Sequence, residues 1–170
     1  MSLLAGIIAG SRSLGGFTLG DPWILTAGAS VTRNDYAGWV GGRFTVGASG
    51  ININALGRMI IAGNSQTHTL KITTTGGSVV ATAALNTSGL TVGQYGTVAL
   101  ASPVALAAST TYIIQSEEFL SGDLWREFAT ITTDAKASSI NAAYGSGSYA
   151  NLTNGAANNT YVLVNMYISP

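Results

Sequence analysis

The chain is written in short apolar runs rather than in long amphipathic stripes. Across Thr69-Leu70-Lys71-Ile72-Thr73 apolar and polar residues alternate with period two, which puts Leu70 and Ile72 on one face of an extended strand and Lys71 on the other. Comparable runs, rich in β-branched residues and bounded by Gly, Asn and Ser, predict strands over Trp39–Val46, Ile51–Ala62, Thr67–Thr75, Ser78–Leu85, Gln94–Ala101, Thr111–Ser116, Leu124–Thr132 and Thr160–Ile168. Shorter strands are expected at Trp23–Leu25 and Ser139–Ala143. Gly76-Gly77 stands between two of these runs and marks a tight hairpin, because glycine reaches positive φ without steric cost. No apolar i, i+3, i+4, i+7 pattern runs far enough for a long helix. Short strands separated by turn signals predict an all-β fold, a two-sheet antiparallel β-sandwich, jelly-roll-like, of about 8–10 strands.

At 170 residues the chain can bury one core, and no Pro/Ser-rich linker divides it. Residues 21–170 are expected to form one domain behind an apolar N-terminal arm of residues 1–20. Tyr144–Thr160, rich in Gly, Ser, Asn and Ala, reads as a long loop before the last strand and as a contact surface.

Composition excludes several partners. Charged residues make up only 8% of the chain, against about 25% in an ordinary soluble domain, and the seven basic and seven acidic groups cancel. The cations are scattered singly, so there is no basic face for nucleic acid or for an anionic membrane surface. A polar but uncharged surface suits an extracellular module or a repeated subunit. The opening run containing Leu3, Leu4, Ile7 and Ile8 lacks the basic start of a secretory signal, and it is shorter than the ~20 residues of a membrane helix. It is expected to act as an assembly arm docking on a neighbouring copy.

Catalytic chemistry is hard to assemble from these residues. There is no cysteine, one histidine (His68) and no G-x-S-x-G elbow. His68 is expected to be structural, bonded to the adjacent turn, and no catalytic residue is assigned. Glu117, Glu118, Asp123 and Glu127 fall on one stretch, too close in sequence to face each other as glycosidase carboxylates do. They read either as a solvated acidic loop beside Arg126 or as a Ca²⁺ site on Glu118 and Asp123, with Ser121-Gly122-Asp123 turning Asp123 back toward Glu118. Aromatic rings hold sugars by stacking on their C–H faces. Trp125, Tyr144 and Tyr149 are the candidate carbohydrate-binding platform, Trp125 being expected at the surface, while Trp23, Trp39 and Phe44 are expected in the core.

Trp39-Val40-Gly41-Gly42-Arg43-Phe44-Thr45-Val46, then Ala55-Leu56-Gly57-Arg58 and Gly63-Asn64-Ser65-Gln66-Thr67-His68-Thr69-Leu70-Lys71-Ile72, resemble a β-sandwich module of unknown function found in secreted bacterial proteins and appended to carbohydrate-active enzymes. The resemblance continues through Tyr95, Ala101–Leu106, Ser109–Tyr112 and Glu118 to Gly122-Asp123-Leu124-Trp125. It implies a non-catalytic ancillary module with functional positions at Glu118, Asp123 and Trp125. In free-standing form it also resembles phage decoration or fibre proteins. The expectation is therefore a multi-copy structural or adhesive protein of a phage particle or similar extracellular assembly. Its partners would be copies of itself, other particle subunits or a surface glycan, with no cofactor beyond the Ca²⁺ considered above. The alternative is a carbohydrate-binding module of a secreted polysaccharide-active enzyme.

Overall fold

The computed structural model describes residues 17–127 and 129–169. Leu3, Leu4, Ile7 and Ile8 of the expected assembly arm lie outside them. Among the described residues there are fifteen strands: β1 (Asp21–Pro22), β2 (Ile24–Ala27), β3 (Thr32–Arg33), β4 (Gly38–Val46), β5 (Ile51–Met59), β6 (Thr67–Thr74), β7 (Val79–Asn86), β8 (Tyr95–Leu106), β9 (Thr111–Glu118), β10 (Trp125–Arg126), β11 (Ala129–Thr133), β12 (Ala137–Gly145), β13 (Leu152–Asn154), β14 (Asn159–Thr160) and β15 (Val164–Ile168). Nine have five or more residues; the others are short bridging pieces. The expected all-β sandwich is the observed architecture.

A six-stranded sheet, ordered β13-β12-β4-β9-β6-β7, forms one layer. The other is a four-stranded sheet, β1-β15-β5-β8, accompanied by a three-stranded one, β14-β11-β2. The chain leaves the first layer between β4 and β5, returns at β6, and repeats the excursion through β8. Strand parity decides which side chains line the core. Phe44 and Val46 of β4, Leu70 and Ile72 of β6 and Ile114 of β9 point inward, against Ile53 and Leu56 of β5 and Met166 of β15. Trp23 packs on Phe44 at 5.2 Å between ring centroids, and its indole Nε1 donates to Ala137 O at 2.8 Å, so the buried ring leaves no polar atom unpaired.

The β6–β7 hairpin forms where Gly76-Gly77 predicts it. Gly77 alone takes positive φ (89°), with Gly77 N donating to Thr74 O and Thr74 N to Ser78 O. This is a type I turn closed by a left-handed residue rather than the two-residue turn that two glycines suggest.

Three expectations are corrected. Tyr144–Thr160 is not one loop: Tyr144 ends in β12, and β13 and β14 lie within the segment. Its first part folds over the outer face of the six-stranded sheet. There Ala150 N donates to Gln115 Oε1 (2.6 Å), and Lys71 Nζ donates to Ser148 O while sitting 3.1 Å from the Trp39 ring centroid. Trp39 therefore belongs to a small outer cluster with Ile113, Ala143 and Ala150, not to the main core. Finally, Leu124–Thr132 divides into β10, paired with β3, and β11, paired with β2 and β14.

Candidate functional site

Two inward positions in the sandwich carry charge where parity calls for apolar residues. Arg58 shares its face of β5 with Leu56, and Glu118 shares its face of β9 with Ile114. They meet across the layers. Arg58 Nε donates to Glu118 Oε1 at 3.0 Å and Nη2 donates to Oε2 at 2.9 Å, with both side chains fully buried. Such a pair is tolerable only if its remaining donors and acceptors are satisfied. Ser116 Oγ donates to Glu118 Oε1 (2.6 Å), Arg58 Nη1 to Asn64 Oδ1 (3.0 Å), and Arg58 Nη2 and Asn64 Nδ2 both donate to Leu124 O.

His68, also fully buried, lies between Glu118 and Asp123. Its Nδ1 donates to Glu117 O at 2.7 Å, and its Nε2 faces Asp123 Oδ2 at 3.2 Å. Both ring nitrogens thus face oxygens of the protein. Asp123 further accepts from Ser65 N, Gln66 N and Thr87 Oγ1, and its own N–H donates to Gln66 Oε1. Burial pushes the Asp123 carboxyl up, but the bonds from Thr87, Gln66, Ser65 and His68 outweigh it and hold the group below its ordinary value of 3.8.

The network pins a loop. With the Asp123 side chain and the Leu124 carbonyl both fixed, the next residue, Trp125, has its backbone set. Trp125 pairs with Arg33 across β10 and β3, and the Arg33 guanidinium lies 5.4 Å from the Trp125 ring centroid. Asp35 accepts from Arg33 Nε (2.7 Å) and Nη2 (3.2 Å), and Glu127 accepts from Nη1. These carboxylates, Asp35 first, raise the guanidinium's proton affinity against the effect of burial, and Arg33 in turn lowers the Asp35 pKa.

Beside this pair opens a concave pocket of about 150 Å³, lined by Arg33, Tyr36, Val40, Trp125, Tyr144 and Tyr161. Its aromatic walls meet edge to face: Trp125 on Tyr161 at 6.0 Å and 87°, Tyr161 on Tyr144 at 6.1 Å and 89°, and Tyr144 on Tyr36 at 6.4 Å and 79°. Gly38 makes room for this. It sits at φ 138°, and a Cβ there would lie 2.6 Å from Gly145 O and 3.1 Å from the Tyr36 ring. Trp125 is 2% exposed, and its indole Nε1 has no hydrogen-bond acceptor among the described residues.

Of the residues singled out in sequence, Trp125 and Tyr144 come together in this pocket, although Trp125 is buried rather than at the surface. Tyr149 does not join them. It packs against Gly77 on the outer face, its hydroxyl donating to Thr75 O at 3.3 Å. Glu118 and Asp123 do converge, with the His68 ring between them and their oxygens turned to protein donors. The acidic stretch is therefore not a solvated loop, since Glu118 and Asp123 are buried, and Arg126 bonds Ser30 O instead (2.7 Å). Among the described residues no group of three or more His, Asp or Glu side chains is arranged to hold a metal ion. His68, expected to bond the adjacent turn, instead turns its ring nitrogens to Glu117 O and Asp123 Oδ2 from distant parts of the chain. Sequence reasoning missed Arg33 and Tyr161, and left Tyr36, one of the candidate aromatics, out of the platform. The close spacing of Arg33, Asp35 and Tyr36 before Gly38 was the available signal.

No curated protein matches the chain. A family described as a domain of unknown function (DUF4082) matches residues 26–168, so it takes in both layers of the sandwich, the buried network and every wall of the pocket. The chain belongs to that family.

Proposed function

We propose that this domain is a non-catalytic adhesive module that holds a glycan in the Trp125–Tyr144 pocket, as part of a phage particle or comparable extracellular assembly. The observation that carries this reading is the pocket itself. A concave site walled by four aromatic rings, with the Arg33 guanidinium in its lining, combines apolar ring faces with polar edges, as a sugar requires. The non-catalytic part is supported by the burial of His68, whose ring nitrogens are taken up by protein acceptors and offer no proton to an outside substrate. The same pocket would serve the alternative setting, a carbohydrate-binding module beside a secreted enzyme.

Retention of the full chain on a panel of immobilised glycans tests the reading. Wild-type protein should be retained by at least one glycan. A Tyr144→Ala variant should lose that retention while keeping its melting temperature within a few degrees, because Tyr144 is only half-buried. Failure of the wild type on every glycan, or equal retention of the variant, would contradict it.

A separate observation favours contacts with protein subunits as well. Val31 and Leu120 are 65% and 66% exposed. Their segments are tied together by Ser121 N donating to Asn34 O (2.6 Å) and Glu127 N to Val31 O (2.9 Å). Apolar side chains gathered on one rim suit a multi-copy assembly. Light scattering that finds only monomer at every concentration would remove this second reading.

A further inference from the structure

We propose that the pocket recognises a single terminal, uncharged sugar residue end-on, rather than a stretch of chain laid across a surface. The proposal rests on the glycan-adhesion reading above and names the class of ligand that the site would take. Size is the first argument. About 150 Å³ is well below the roughly 300–1,000 Å³ of pockets that enclose drug-sized ligands, and suits one pyranose ring. Geometry is the second. Three successive ring pairs meet at 87°, 89° and 79°, so neighbouring aromatics form the walls of a socket and share no plane on which consecutive sugars could stack. Tyr149, which would have extended a flat platform, lies on another face of the molecule.

Charge selects among terminal sugars. Among the described residues Arg33 is the only cation lining the pocket, and its Nε, Nη1 and Nη2 already donate to Asp35 and Glu127. One guanidinium between two carboxylates leaves no positive surplus to hold a uronic or sialic carboxylate. The remaining polar feature is a donor. Trp125, a wall of the pocket, carries an Nε1–H that is sealed from solvent and has no acceptor among the described residues, a costly arrangement that a ligand hydroxyl would relieve once the indole shifts toward the cavity. Its backbone is fixed by the buried network, so only the indole side chain has to move.

Titration calorimetry on the full chain tests this with methyl glycosides of neutral hexoses and N-acetylhexosamines, a methyl uronide, and oligosaccharides of increasing length that share one terminal sugar. The expected result is saturable binding of a neutral glycoside, with affinity unchanged along the length series and no preference for the uronide. Trp125→Phe, which keeps a ring and removes the donor, should weaken binding about fivefold. If that variant does not fold, Tyr36→Ala at a half-exposed position should weaken it at least about tenfold. Affinity that climbs with chain length, or a preference for the uronide, would overturn end-on neutral recognition while leaving glycan adhesion standing. Unchanged affinity in the folded variant would overturn the assignment to this pocket. Absence of binding to every saccharide would instead remove the adhesion reading itself.

Discussion

The buried network and the aromatic pocket are neighbours joined by one peptide, Leu124–Trp125, yet they are finished to opposite degrees. Around Arg58, His68, Glu118 and Asp123 no buried side-chain nitrogen or oxygen among the described residues lacks a partner, and solvent is excluded. In the pocket the rings are apolar and the mouth is open, and the buried Trp125 indole N–H has no acceptor among the described residues. Sealed and satisfied charge is what a fold uses to fix geometry, whereas an unsatisfied donor beside an open cavity is what recognition leaves for a ligand. On the proposed reading, the residues that look most like a reactive centre serve as a scaffold, and the aromatic pocket is the surface offered to a ligand.

The contrast can be broken first at its most expensive point. Arg58→Ala strands the Glu118 carboxylate in the core and should destabilise the domain by about 3–5 kcal/mol, read as a drop in the urea midpoint. A loss below about 1 kcal/mol would mean that the pair is not sealed as described.

A smaller effect is expected at Asp123. Asp123→Asn removes a carboxylate that accepts from Ser65, Gln66, Thr87 and His68, and should cost about 1–3 kcal/mol at neutral pH. The sign of its pH dependence follows from the lowered pKa. The stability that this carboxylate contributes is fully present above its unfolded value of about 4 and is lost as pH falls through the folded value. Wild type and variant should therefore converge in stability on acidification from pH 7 to pH 3. A gap that widens on acidification would reverse the assignment.

The smallest expected effect concerns calcium. With the His68 ring between Glu118 and Asp123 and their oxygens bonded to protein donors, added Ca²⁺ or EDTA should leave the melting temperature unchanged. A clear Ca²⁺-dependent rise would place a cation on the folded state.

The layers of the sandwich were legible because alternation at Leu70, Ile72 and their counterparts is a local signal and needs no knowledge of partners. Its breaks were not. Nothing local says that Leu124–Thr132 must split so that Trp125 pairs with Arg33 while Ile131 pairs with Ala27, because that choice is made by distant strands. The site was half legible for the same reason. Trp125 and Tyr144 stood out as aromatics in polar surroundings, but Arg33 and Tyr36 come from an N-terminal segment far away in sequence. Tyr161 looked like part of an ordinary final strand. Arg58 and Glu118 carried a readable clue, since each occupies the parity of an inward apolar position, and a charge there must find its opposite across the core.

The most direct test of the pocket as the binding site is the indole N–H resonance of Trp125 in a ¹⁵N-labelled sample, assigned by its disappearance in Trp125→Phe. Titration with the best neutral methyl glycoside should move that resonance saturably, leaving those of Trp23, bonded to Ala137 O, and Trp39, on the outer face, in place. A saturable shift centred on Trp39, or none at any tryptophan while the glycoside binds, would contradict the account.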